Sequence, residues 1–156
     1  MLRTIGAVLL GYIVMFVVVF VLMTGAYLGL GAERAFRPSS YEVSGLWTVL
    51  SIFIGLAAAV GGGIVAARVA RRKRGVLALA IVVVLLGLFM AIPTLNPPDA
   101  GVPAVRDGSV GNLAAMQRAK TPPWLAFLNP VIGAAGVFVG ARLVRGKEME
   151  RKPAVV

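Results

Sequence analysis

Residues Ile5 to Leu30 read IGAVLLGYIVMFVVVFVLMTGAYLGL, an apolar run without a single charged residue. A helix rises ~1.5 Å per residue, so it needs roughly 20 apolar residues to cross a hydrocarbon core about 30 Å thick. This run is long enough to span. It also exceeds the apolar core of a signal peptide, which is only about 7–15 residues. With only Arg3 ahead of it, it reads as a retained first transmembrane helix, about 5–30.

Three further apolar segments follow, at about 42–70, 75–92 and 123–144. Between them lie a short outer loop at about 31–41, a tight cytoplasmic turn at 71–74 and a longer outer loop at about 93–122, with a charged tail at 145–156. The whole chain, 1–156, therefore reads as one membrane domain of the all-α class, a four-transmembrane-helix bundle. Composition agrees: 59% hydrophobic residues with 14% charged, in a chain of 156 residues, leaves too little polar surface for a small globule in water.

The net charge of +10 raises the question of nucleic acid, but its placement answers it. With the N-terminus inside, the cytoplasmic segments hold Arg3, Arg68, Arg71, Arg72, Lys73, Arg74, Arg142, Arg145, Lys147, Arg151 and Lys152 against Glu148 and Glu150. The outer loops hold Arg34, Arg37, Arg106, Arg118 and Lys120 against Glu33, Glu42, Asp99 and Asp107, so the two sides carry +9 and +1. Basic residues collected on one side of the membrane set topology. The expected location is a bacterial plasma (inner) membrane, multi-pass, with both termini cytoplasmic. Arg68, Arg71, Arg72, Lys73, Arg74, Arg142 and Arg145 are candidate contacts for anionic lipid head groups on that side, and no nucleic-acid partner is expected.

Local signals mark the helix ends. Ser39-Ser40-Tyr41-Glu42 has the Ser-x-x-Glu spacing of a capping box, which predicts the start of the second helix. Pro93 predicts an end or kink of the third helix, and Pro122-Pro123 the first turn of the fourth, where proline is tolerated. Pro130 inside the fourth helix predicts a kink. Within the long loop, residues Asn112 to Lys120 have the pattern of a short helix capped by Asn112, or of a plain connector.

Small residues dominate the second helix. Gly55, Ala59, Gly63 and Ala67 recur every four residues and form one ridge, with Ala58, Gly62, Ala66 and Ala70 beside it. In lipid, helices associate by close packing and not by expelling water, so such ridges mark helix-packing seams. Gly136 and Gly140 repeat the spacing in the fourth helix, as do Gly25 and Gly29 in the first and Gly87 and Ala91 in the third. The seam serves either the chain's own bundle or another subunit, whether a protein partner or a second copy.

A weak internal repeat accompanies it. Gly62-Gly63-Ile64-Val65-Ala66-Ala67-Arg68 and Gly136-Val137-Phe138-Val139-Gly140-Ala141-Arg142 share Gly, Val, Ala and Arg at one spacing. This is the pattern of two tandem helical hairpins, or simply the way small-residue helices of this composition end at a basic surface.

Catalytic chemistry finds little support. The chain has no Cys and no His, which removes thiolate and imidazole metal ligands, Cys nucleophiles, His bases and axial haem ligation. No catalytic, metal or cofactor-binding residue is assigned, and no cofactor is expected. The four helix centres contain no Asp, Glu, Lys or Arg, the groups that coupled transport places within the membrane. The polar residues at depth are Tyr12, Thr24, Tyr27, Thr48, Ser51 and Asn129. Asn129 is expected either to bridge helices or to serve the carbonyl freed by Pro130. The functional expectation is a non-enzymatic structural or accessory membrane subunit; the alternative is a passive channel or small-solute transporter subunit.

Gly61-Gly62-Gly63-Ile64-Val65-Ala66-Ala67-Arg68, Pro123-Trp124 and Gly140-Ala141-Arg142 give the chain a plan that resembles a loose group of uncharacterised small four-helix bacterial membrane proteins. That resemblance implies a fold and no activity. Small multidrug exporters are similar in helix count, but they use a Glu in the first helix, and none lies between Ile5 and Leu30.

Overall fold

The computed structural model describes residues 2–70, 73–95 and 118–150, with side chains up to residue 144. Arg71, Arg72, the side chain of Arg145, most of the expected 112–120 helix and the tail from 151 lie outside the described residues. Four helices make up almost all of the rest: α1 (Leu2–Ala35), α2 (Gly45–Ala70), α3 (Lys73–Ala91) and α4 (Pro123–Glu150). Each is long and apolar enough to cross a membrane. The protein is an all-α membrane protein, a four-helix bundle.

The chain forms two antiparallel hairpins, α1–α2 and α3–α4. Around the bundle, α1 packs on α2, α2 on α4, α4 on α3 and α3 on α1, with α2 and α3 also touching across the centre. That leaves α1 and α4 at the far corners. The start of α1, the end of α2, the start of α3 and the end of α4 share one end, here the basic end, where Arg3, Arg68, Lys73, Arg74 and Arg142 are exposed. The main core lies towards that end: Ala7, Ala59, Ala66, Ala70, Leu79 and Val137 are all buried.

The opposite end carries a compact cap. Helix α1 runs beyond the expected limit near Leu30, but it breaks at Gly31, whose φ of 70° and ψ of 170° suit only glycine, before a last turn to Ala35. The chain then doubles back. Phe36 bridges to Val43, with Arg37 N–H donating to the Glu42 carbonyl at 2.9 Å. The segment after the long loop joins this hairpin: Lys120 N–H donates to the Tyr41 carbonyl at 2.8 Å, and Val43 N–H to the Lys120 carbonyl at 3.3 Å. Tyr27, Phe36 and Val43 fill a second small core with Trp47 against it. The Tyr27 ring meets Phe36 and Trp47 edge-on, with centroids 6.3 and 5.7 Å away.

This pairing moves the start of α2. The Ser39/Glu42 capping box does not form, because residues 41–43 are held in the hairpin and the helix begins at Gly45. Ser44 is the cap instead: its Oγ accepts from Trp47 N–H at 3.1 Å and donates to the Arg34 carbonyl at 2.6 Å, tying the α2 start to the α1 end. Ser40 Oγ accepts from Glu42 N–H at 3.0 Å, and the Glu42 carboxylate pairs with Arg37 at 2.9 Å.

The remaining helix ends depart less from expectation. Lys73 and Arg74 belong to the first turn of α3, and Pro93 converts its far end to a 3-10 turn, Ile92–Thr94, as a residue without an N–H requires. Helix α4 begins at Pro123, with the Pro122 carbonyl accepting from Leu125 and Ala126. It runs on through Pro130 as one helix to Glu150, past the expected end near Val144. Lys147, Glu148, Met149 and Glu150 are good helix formers, so nothing stops the helix at the membrane surface.

Candidate functional site

Glycine fixes how closely the helices approach, and the structure assigns each small residue a partner or none. A Cβ on Gly63 would collide with the Val137 carbonyl oxygen, and one on Gly140 with the Val60 carbonyl oxygen. A Cβ on Gly136 would lie 2.6 Å from that of Ala59. Gly63, Gly136, Gly140 and Ala59 therefore meet at the contact between α2 and α4, inside the chain, and Ala67 lies buried in the same core. Gly55, sixth of the residues read as the seam, faces open space.

The neighbouring ridge serves α1. A Cβ on Gly62 would sit 2.8 Å from the Gly11 carbonyl oxygen, and one on Gly11 would lie 3.1 Å from that of Gly62. Near the basic end, Gly75 admits Ala70 and Ala7, and Gly11 admits the Leu79 side chain. On the other hairpin a Cβ on Gly87 would lie 2.5 Å from the Pro130 ring, and one on Gly133 would lie 2.9 Å from the Val83 side chain. A Cβ on Gly25 or Gly29 of α1 would meet nothing within 4 Å, so the spacing they share with the other pairs is not used for packing inside the bundle.

This distribution opens a groove. The contacts of α1 with α3 just described lie near the basic end, at Ala7, Gly11, Gly75 and Leu79. Towards the cap α1 carries Met15, Phe16 and Val19, and the wall of α3 and α4 facing them is flattened by Gly87, Pro130 and Gly133. A cavity of about 520 Å³ lies between. A second, of about 360 Å³, continues it beneath the cap between α1 and Trp47; the two share Phe16, Val19 and Thr121. Volumes of about 300–1,000 Å³ are those of small-molecule sites. None of the lining residues is ionisable at neutral pH.

The polar groups lining the larger cavity differ in their partners within the chain. Thr94 Oγ1 donates to the Ala91 carbonyl at 2.6 Å. Thr48 and Ser51, elsewhere on α2, likewise donate to carbonyls of their own helix, at 3.0 and 2.8 Å. Asn129 differs. Among the described residues its side chain makes no hydrogen bond, so it neither bridges helices nor serves a carbonyl. Pro130 turns its ring onto Gly87, and the residue before it is thereby rotated to the groove. Pro130 cannot supply an amide hydrogen to the Ala126 carbonyl one turn earlier, and Ala126 lines the same cavity. Tyr12, also lining it, is 39% exposed and likewise forms no side-chain hydrogen bond among the described residues.

Two features of this region are not read from sequence alone. The groove depends on where glycines fall on different helices relative to one another, and its roof depends on residues 41–43 meeting residue 120. Of the candidate lipid contacts, Arg68, Lys73, Arg74 and Arg142 are exposed together at the basic end, none of them in an ion pair among the described residues. Comparison of the chain with known protein families, with curated proteins and with solved structures finds no match.

Proposed function

We propose that the protein is a non-catalytic accessory subunit of a bacterial plasma membrane, with both termini cytoplasmic and its basic end on anionic head groups. The observation that carries this reading is the allocation of small residues. Apart from Gly55, the small residues of the seams on α2, α3 and α4 are consumed in holding the bundle, whereas Gly25 and Gly29 on α1 are both exposed, and a Cβ on either would meet nothing. A Gly-x-x-x-Gly pair left open on a lipid-facing helix lets another helix approach closely. Helix α1 is also the least buried of the four spans.

The test is purification from native membranes in mild detergent with mass spectrometry of what stays bound, for the protein and for Gly25→Leu/Gly29→Leu. A stoichiometric partner, or a second copy, that is lost in the double variant supports the reading. Unchanged recovery of the partner in the variant removes α1 from the contact, and recovery of the protein alone as a monomer counts against a subunit role.

The rival, a passive channel or small-solute transporter subunit, has the groove in its favour. Against it, small-residue contacts close the bundle at the basic end, where Ala7, Gly11, Gly75 and Leu79 meet. Specific solute flux into liposomes containing only this protein would favour the rival.

A further inference from the structure

The cavity of about 360 Å³ beneath the cap has walls of two kinds. Helix α1 and the cap line it with bulky side chains, among them Phe16, Phe20, Tyr27, Phe36 and Trp47. Residues 118–121, which run from the cap to the start of α4, contribute only Ala119 and Thr121. In an extended segment alternate side chains point to opposite faces, so Arg118 and Lys120 are turned away from the cavity. The segment therefore borders the cavity without a large side chain to anchor it there.

What holds it is polar and lies outside the cavity. Lys120 N–H donates to the Tyr41 carbonyl at 2.8 Å, and Val43 N–H to the Lys120 carbonyl at 3.3 Å. The Arg118 guanidinium lies over the Tyr41 ring, 5.9 Å from its centroid, and donates to the Tyr41 hydroxyl at 3.3 Å. Tyr41 is buried, whereas residues 118–121 are all exposed. The pairing of Glu42 with Lys120 is an isolated bridge, and Pro122 and Pro123 lack the N–H groups that would extend it into a ladder. Segments with few buried apolar contacts and exposed hydrogen bonds open locally, well short of global unfolding. Here, release of one bridge and one clamp uncovers a space that already exists, with no packed core to break.

We propose that residues 118–121 are a strap that lifts from Tyr41 and Val43 and returns, and so gates the entry of water and small polar molecules to the cavity between α1 and Trp47.

The chain has no cysteine, so Thr24→Cys, on the α1 wall of this cavity, places a single thiol behind the strap. The probe is a trimethylammonium-ethyl thiosulfonate, whose permanent charge keeps it from arriving through lipid. Nanodiscs expose both faces of the membrane, which makes the result independent of orientation, and mass spectrometry follows modification at residue 24. Glu42 and Lys120 lie opposite one another and both are exposed. Paired strands are about 4.8 Å apart, within reach of a disulfide. Adding Glu42→Cys/Lys120→Cys, oxidised before the probe is introduced, locks the strap in place. Lys120→Pro instead removes the N–H that holds it, and Lys120→Ala leaves the main-chain pairing as it is.

Relative to Thr24→Cys alone, modification should slow about tenfold or more when the strap is locked and quicken about tenfold with Lys120→Pro, the loss of one hydrogen bond. Lys120→Ala should leave the rate unchanged. Equal rates for locked and unlocked protein would overturn the proposal, and so would equal rates for Lys120→Pro and Lys120→Ala.

Discussion

Gly63 of α2 rests directly against the main-chain carbonyl of Val137 on α4, with no space for a side chain between them. The two hairpins are joined there by backbone and not by interlocking side chains. In lipid, where no water is expelled as helices meet, such proximity is what gives dispersion its reach.

Replacing Gly63 with Leu must therefore push α2 and α4 apart. Overpacking typically costs ~1–3 kcal/mol, and here the obstacle is backbone, which cannot rotate away. Gly55→Leu, on the same ridge but facing open space, should leave stability within about 0.5 kcal/mol. Thermal unfolding of both variants in one detergent separates the two cases; equal melting temperatures would contradict the packing described.

The cap gives a second contrast. Ser44 Oγ satisfies an amide at the start of α2 and binds the Arg34 carbonyl at the end of α1. Ser44→Ala should lower stability by about 1 kcal/mol, the usual loss of an N-cap serine. Ser39→Ala removes no hydrogen bond found in the structure and should cost far less. Were Ser39 the cap, as its spacing to Glu42 suggests, the order of the two variants would reverse.

That contrast shows where sequence stops being sufficient. The four spans follow from uncharged apolar runs, each of which is a local property, and the break at Gly31 is foreshadowed by Glu33 and Arg34. The cap is non-local. Ser39-Ser40-Tyr41-Glu42 is a sound helix start until Lys120 pairs with Tyr41 and Val43, across a separation that no local pattern reports. The small-residue ridges of α2 are legible as ridges, but not which helix each one meets: Gly63 meets α4, Gly62 meets α1 and Gly55 meets nothing. Asn129 is visible in the sequence as a polar residue at depth. That it faces a groove follows only from the Pro130 ring lodging on Gly87.

Two backbone positions should respond with opposite signs. Gly31 has φ 70° and Ser39 has φ 52°, a region that costs a residue with a Cβ about 1–2 kcal/mol. Gly31→Ala should destabilise the cap by roughly that amount or more, since its ψ of 170° takes it further from what alanine tolerates. Ser39→Gly relieves the same strain, although glycine gives part of it back as entropy of the unfolded chain, so the net effect should be neutral to mildly stabilising. Proteolysis within the 36–44 hairpin of detergent-solubilised protein would report both: faster for Gly31→Ala, unchanged or slower for Ser39→Gly.

Orientation rests on charge and can be read without altering the fold. Lys73 is exposed at the basic end and Lys120 at the capped end, and the chain contains no cysteine, so a single introduced thiol is the only one to label. If basic residues hold their end on the cytoplasmic side, a membrane-impermeant maleimide added to intact cells should label Lys120→Cys and leave Lys73→Cys untouched until the membrane is opened. The reverse pattern would place the termini outside. Labelling of both thiols in intact cells would mean a mixed population, as expected of a topology held weakly. In that event, neutralising Lys73 and Arg74 should shift the mixture further towards the inverted form, because those charges face the inner head groups in one orientation only. A mixture that ignored their removal would show that the charge imbalance does not set the topology.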